Sequence, residues 1–178
     1  MAVGDSITAA TTGNRPATER WVSRVEAGLG ALLPQRQVTV INAGVGGNTS
    51  REGLARFEKD VVPHSPEAVL IEFGGNDATP EPDRHVTADE FVRNLQTMID
   101  RCRALGARPF LLPFPPVVDR WHVFWAKEPF HAKGGLDWYI EEYRELTRWL
   151  AARDRLPLVD IDRALRDAMR RHGVASQI

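Results

Sequence analysis

The sequence predicts an α/β fold, a three-layer α/β/α sandwich built on a five-stranded parallel sheet. Three observations predict it. Short apolar runs alternate with amphipathic stretches from one end of the chain to the other, which is the rhythm of βα units. The run at residues 68–73 is apolar apart from Glu72, as a strand covered on both faces should be. Glycine-rich turns follow the first three runs, and an open parallel sheet places its ligand beyond the carboxyl ends of its strands.

The elements follow in order. Residues 1–3 read as the tail end of a first strand. Residues 18–33 form a helix, with Trp21, Val22, Val25, Leu29 and Leu32 on one face and Pro34 at its end. Residues 37–41 are β-branched and read as the second strand, leading into the turn Asn42-Ala43-Gly44-Val45-Gly46-Gly47-Asn48. Thr49 or Ser50 caps the next helix, whose apolar positions are Leu54, Phe57 and Val61. Residues 68–73 are the third strand. Thr87-Ala88-Asp89-Glu90 has capping-box form and opens a helix with Phe91, Leu95, Met98, Ile99 and Cys102 on one side, stopped by Gly106. Residues 108–112 are a fourth strand, 113–135 an irregular aromatic-rich stretch, 136–153 a helix, 156–161 a fifth strand and 162–172 a last helix ending at Gly173. Crossovers in such a sheet are right-handed. Phe73 and Trp21 read as core.

Composition narrows the function. The chain has 178 residues, enough for one domain with a real core, and is 43% apolar and 26% charged. Its net charge is -1, with Lys and Arg scattered along it, which excludes a basic groove for nucleic acid. Cys102 stands alone, so the fold owes nothing to an internal disulfide, and its place on the apolar side of a helix reads as a buried thiol. No run approaches the length of a membrane span, and the first residues lack the basic start and apolar stretch of a signal peptide. The compartment expected is the cytoplasm. The five histidines are dispersed, with no HExxH or paired-cysteine motif, so no metal is expected. A dinucleotide fingerprint starting at Gly44 fails because Thr49 stands where glycine is needed.

Three segments carry chemistry. Gly4-Asp5-Ser6 follows the first strand, Gly44-Val45-Gly46-Gly47-Asn48 the second and Gly74-Gly75-Asn76-Asp77 the third. Together they bring a hydroxyl, backbone N–H groups and a side-chain amide to one sheet edge. Acyl transfer needs that set, a nucleophile with donors aimed at the developing oxyanion.

GDSIT near the start, NAGVGGNTS after the second strand and GGND after the third resemble, in order and spacing from Gly4 to Asp77, the first three sequence blocks of the GDSL/SGNH hydrolase family. The resemblance implies a flavodoxin-like SGNH hydrolase fold over a single domain, residues 1–178. It implies Ser6 as nucleophile and oxyanion N–H donor, Gly47 as the oxyanion glycine and Asn76 as the amide that completes the hole. Asp5 and Asp77 would hold the loops by hydrogen bonding. The implied substrate is a small-molecule carboxylic ester or thioester, cleaved through an acyl-serine intermediate without metal or organic cofactor. The alternative is a non-catalytic ligand-binding relative that has lost its base.

The family's fourth block, Asp-x-x-His after the fifth strand, supplies the base and its orienting carboxylate. It does not occur near Ile178. His172 reads instead as a favourable charge at a helix C-terminus. The domain is expected to be clipped at its N-terminus and incomplete at its C-terminus, with the catalytic His and Asp beyond Ile178. The other source of a base is Asp119-Arg120-Trp121-His122, which follows the fourth strand. The aromatic stretch from Pro113-Phe114-Pro115-Pro116 through Trp121, Phe124, Trp125 and Phe130 to Trp138 reads either as a wall over the serine or as a satellite core.

Overall fold

The computed structural model describes residues 1–11, 16–122 and 126–173; Phe124 and Trp125 lie outside the described residues. Its sheet has four parallel strands in the order β2-β1-β3-β4: β1 (Ala2–Gly4), β2 (Asn42–Gly44), β3 (Ala68–Phe73) and β4 (Arg108–Pro113). Gly4 lies opposite Gly44 on one side and Glu72 on the other. Six helices accompany the strands among the described residues: α1 (Ser6–Ala9), α2 (Trp21–Leu32), α3 (Ser50–Asp60), α4 (Ala88–Ala104), α5 (Leu136–Arg153) and α6 (Ile161–Arg171). The connection from β1 to β2 runs one way across the sheet and those from β2 onward run the other. Right-handed crossovers therefore put α2 on the face opposite α3, α4 and α5, which pack side by side. The reversal falls at β1, so the crevice between the carboxyl ends of β1 and β3 is the expected ligand position.

The core lies between the sheet and α3–α5. Phe57, Ile71, Phe73, Phe91, Leu95, Met98, Ile99, Leu111, Ile140 and Leu150 are fully buried, each contributing about 1.5–3 kcal/mol by leaving water. Cys102 is buried among them, and burial pushes its thiol up to about 12. Such a thiol is packing, not a nucleophile.

Four expectations are corrected. The fifth strand at 156–161 reduces to one parallel bridge, Leu158 to Leu111. Pro157 has no N–H to extend the ladder, and Asp160 already caps α6 by accepting Arg163 N–H. The last helix accordingly starts at Ile161, and His172 is its exposed C-cap. The second strand pairs at Asn42–Gly44 rather than 37–41, with Asn42 opposite Ala2. The first long helix starts at Trp21; Ala17–Glu19 is a separate 3-10 turn and Arg20 is extended.

Trp21 is not core. It is half-buried and donates Nε1–H to Ile7 O at 2.9 Å. The apolar face of α2 borders an open cavity of about 510 Å³ at the N-terminal edge of the sheet, lined by Met1, Val25, Leu29 and Ile41 among others. Leu32 is 77% exposed. The capping box also sits elsewhere than at Thr87. Thr49 N–H donates to Glu52 Oε2 at 2.7 Å while Thr49 Oγ1 accepts from Arg51 N–H. Thr87 caps α4 one way only, because the Glu90 carboxylate is drawn to Arg51 at 2.7 Å.

Candidate active site

Asp5 leaves β1 and caps α1, its Oδ1 accepting Ile7 N–H at 2.8 Å. That makes Ser6 the first residue of the turn, with an N–H that has no acceptor inside the helix. Ser6 is half-buried at the carboxyl edge of the sheet.

The second segment folds over it. Gly47 has φ 78°, a left-handed conformation that glycine enters without steric cost. The resulting bend brings Gly46 above the serine, where a Cβ built on it would lie 3.9 Å from Ser6 Cβ.

Asn76 ties the segments together. Its Nδ2 donates to Asp5 Oδ2 at 3.0 Å and to Asn48 O at 3.0 Å. Its Oδ1 accepts from Arg84 Nη2 at 3.3 Å, and the same nitrogen donates to Gly47 O at 2.8 Å. The three turns named from the sequence therefore meet. Asp77 holds two of them, accepting Ser50 N–H on Oδ1 at 2.9 Å and Gly74 N–H on Oδ2 at 3.2 Å.

A cavity of about 200 Å³ opens at this point, lined by Ser6, Asn76, Arg84, Phe114, Pro116 and His122 among others. Gly47 is not part of the lining and touches it through Arg84. The larger cavity near α2 lies at the opposite edge of the sheet, away from these turns. The aromatic stretch divides. Phe114 lines the small cavity, and its ring rests on Gly75, within 2.2 Å of where a Cβ would be. Phe130 is buried and meets Tyr139 edge-on at 5.6 Å. Trp138 is 57% exposed.

The floor of the site is acidic and buried. Burial raises Asp5 to about 7, against the Ile7 and Asn76 hydrogen bonds and with the nearby Asp77. Burial likewise raises Asp77 to about 6, and puts Glu72 well above the usual carboxylate range. His122 is pushed down by burial, with Asp119 opposing.

Asp119 acts on His122 by charge and is also bonded into the next helix. Its carboxylate accepts Leu136 N–H at 2.6 Å and Asp137 N–H at 3.2 Å, closing the start of α5. Among the described residues no group of three His, Cys, Asp or Glu could hold a metal ion, and no helix is long and apolar enough to cross a membrane.

Sequence reasoning missed Arg84, and it gave no role to Asn48 or Thr8 although both stand in the quoted segments. Nothing marks an exposed arginine in a proline-rich loop as a site residue. Glu72 did carry a signal, as the one charge in an apolar strand.

The family model of the GDSL-like lipase/acylhydrolase family matches residues 2–175. The uncharacterized lipoprotein YqeF of Bacillus subtilis is 29% identical over 172 residues, covering 90% of this chain and 69% of that protein. The esterase TesA of Pseudomonas aeruginosa is 35% identical over 118 residues, 63% of this chain and 52% of its own length. The chain thus spans about half of that relative. An acetylxylan esterase structure from Geobacillus stearothermophilus has the same fold, with TM-score 0.74, 23% identity, 95% of this chain covered and 78% of that one.

Proposed function

The chain belongs to the GDSL-like lipase/acylhydrolase family and is an ester hydrolase of that type, and from this premise we propose that it works through Ser6, on small carboxylic esters or thioesters. Ser6 Oγ attacks the carbonyl carbon while a base takes its proton. The carbonyl oxygen becomes an oxyanion, held by Ser6 N–H, Gly47 N–H and the Asn76 amide. The C–O or C–S bond breaks, the alcohol or thiol leaves with the proton, and water then hydrolyses the acyl-serine.

The observation that carries this reading is the Asn76 amide, which bonds the residue before Ser6 and the residue after Gly47. A nucleophile and its oxyanion donors must be held together in that way. Both amide hydrogens are engaged with protein acceptors, so substrate binding exchanges one of those bonds for the oxyanion. The small cavity suits a short acyl group, being below the roughly 300 Å³ at which drug-sized pockets begin.

The test is labelling by a fluorophosphonate followed by mass mapping of the adduct. An adduct on Ser6, lost in Ser6→Ala together with hydrolysis of p-nitrophenyl acetate, is the expected result. Undiminished hydrolysis in Ser6→Ala would refute the assignment.

A further inference from the structure

Glu72 lies in β3 directly opposite Gly4 of β1 and is fully buried. Its Oε2 accepts the Thr8 hydroxyl at 2.9 Å. Its Oε1 is buried with no hydrogen-bond donor among the described residues. Asp5, a second buried carboxylate, lies within hydrogen-bonding reach of the Glu72 carboxyl, and the Asp5 N–H also acts on that group. Two carboxyl groups bond to one another only if one of them carries a proton.

Gly4 makes the approach possible. A Cβ at that position would lie 2.2 Å from Thr8 Oγ1 and 2.9 Å from Glu72 Oε2. The glycine that precedes Asp5-Ser6 therefore leaves room for the Thr8–Glu72 pair beneath the serine-bearing turn.

We infer that Glu72 is a positioning residue, a neutral carboxylic acid that donates its proton to Asp5 and so fixes the Asp5 carboxylate on Ile7 N–H and the Asn76 amide. This rests on the reading of Ser6 and Asn76 given above. The chain of bonds runs from Thr8 to Glu72, from Glu72 to Asp5 and from Asp5 to Asn76. A neutral Glu72 leaves one negative charge on the pair instead of two. The charged groups acting on Glu72 are Asp5, which follows β1, and Asp77, in the turn after β3, and both are negative. Arg56 of α3 reaches the same turn, but its guanidinium is occupied by Asp60, Asn48 and the carbonyls of Gly4 and Ala43. Tyr143 of α5 donates its hydroxyl to Val86 O. Burial, the largest cause, and the Asp5 and Asp77 charges hold the Glu72 proton in place, against the Thr8 hydroxyl and the Asp5 N–H.

Glu72→Gln and Glu72→Leu, made in the whole chain, test this. Gln keeps the volume, accepts from Thr8 and donates to Asp5 at every pH; Leu keeps only the volume. The first readout is the infrared difference between wild type and Glu72→Gln at neutral pH, where the wild type should show one protonated-carboxyl stretch more than the variant. Its absence overturns the inference. The second readout is the rate of fluorophosphonate labelling at Ser6. Leu should slow it by about tenfold to a hundredfold, the cost of a misplaced catalytic group, while Gln stays within about twofold of wild type. Labelling in the wild type should fall as rising pH takes the proton from Glu72, and Gln should remove that fall. Equal damage by Gln and Leu, or the same fall in Gln, overturns the inference. If the wild type takes no label, the Ser6 reading fails instead, and the infrared band decides the protonation of Glu72 by itself.

Discussion

Asn76 Nδ2 lies 3.0 Å from Asp5 Oδ2, a side-chain bond between turns that are 71 residues apart in sequence. It joins the turn after β1 to the turn after β3, and the second bond of the same nitrogen brings in the glycine loop after β2. Asn76→Ala should therefore act on the transition state more than on substrate binding. The expected result with p-nitrophenyl acetate is a fall in kcat of about 10²–10³, the usual cost of one oxyanion donor, with little change in KM. A rise in KM at unchanged kcat would make Asn76 a binding residue.

The buried carboxylates predict an unusual pH dependence of stability. Asp5 is raised to about 7 and Asp77 to about 6, chiefly by burial. A carboxylate raised in the folded state binds more protons there than when unfolded, so stability falls as pH rises from its unfolded value through its folded one. For Asp77 that window runs from about pH 4 to about pH 6. His122, lowered by burial, acts in the opposite sense up to its ordinary value near 6.5. Comparing variants separates them: the thermal midpoint of wild type relative to Asp77→Asn should decline across the Asp77 window. A flat difference would mean that Asp77 is not raised.

Much of this was legible in the sequence. The apolar spacing along α3 and α4, the run of β3 that is apolar apart from Glu72, and the glycines of the three site turns are all readable there. What was not legible depends on neighbours distant in sequence. The pairing of residues 42–44 rather than 37–41 is settled with the partner strand, where Asn42 lies opposite Ala2. Trp21 has the spacing of a core residue, yet its indole is half-buried and donates to Ile7 O. The Asp5–Glu72 and Asn76–Arg84 contacts link residues whose spacing carries no period. Only Glu72 left a trace, as a charge where the pattern called for an apolar side chain.

The wall of the site is anchored from behind by a buried cation. Arg144 in α5 has no solvent exposure, donates Nε–H to Phe114 O and Nη2–H to Pro115 O, both at 2.9 Å, and pairs with Asp137 and with Asp162 at 3.3 Å. Removing one partner of such a network strands the others without water, which costs about 3–5 kcal/mol. Arg144→Met should destabilise the protein by that amount in denaturant unfolding, and should loosen Phe114 over the cavity. A loss below about 1 kcal/mol would show that Asp137 and Asp162 are satisfied by Arg166 and Arg148 alone.

His122 tests how the serine is activated. It lines the cavity with Ser6, which makes it the candidate base among the described residues. Its neighbour Asp119 favours the charged ring and also accepts the N–H groups of Leu136 and Asp137. Burial, the larger influence on the ring, disfavours the imidazolium that proton transfer would create. His122→Ala should therefore change kcat/KM for p-nitrophenyl acetate by less than about threefold. Loss of a base is worth about 10²–10⁴, so a fall of that size would instead assign the proton transfer to His122. Asp119→Asn should then be measured for stability as well as rate, because its carboxylate closes the first turn of α5 whatever His122 does.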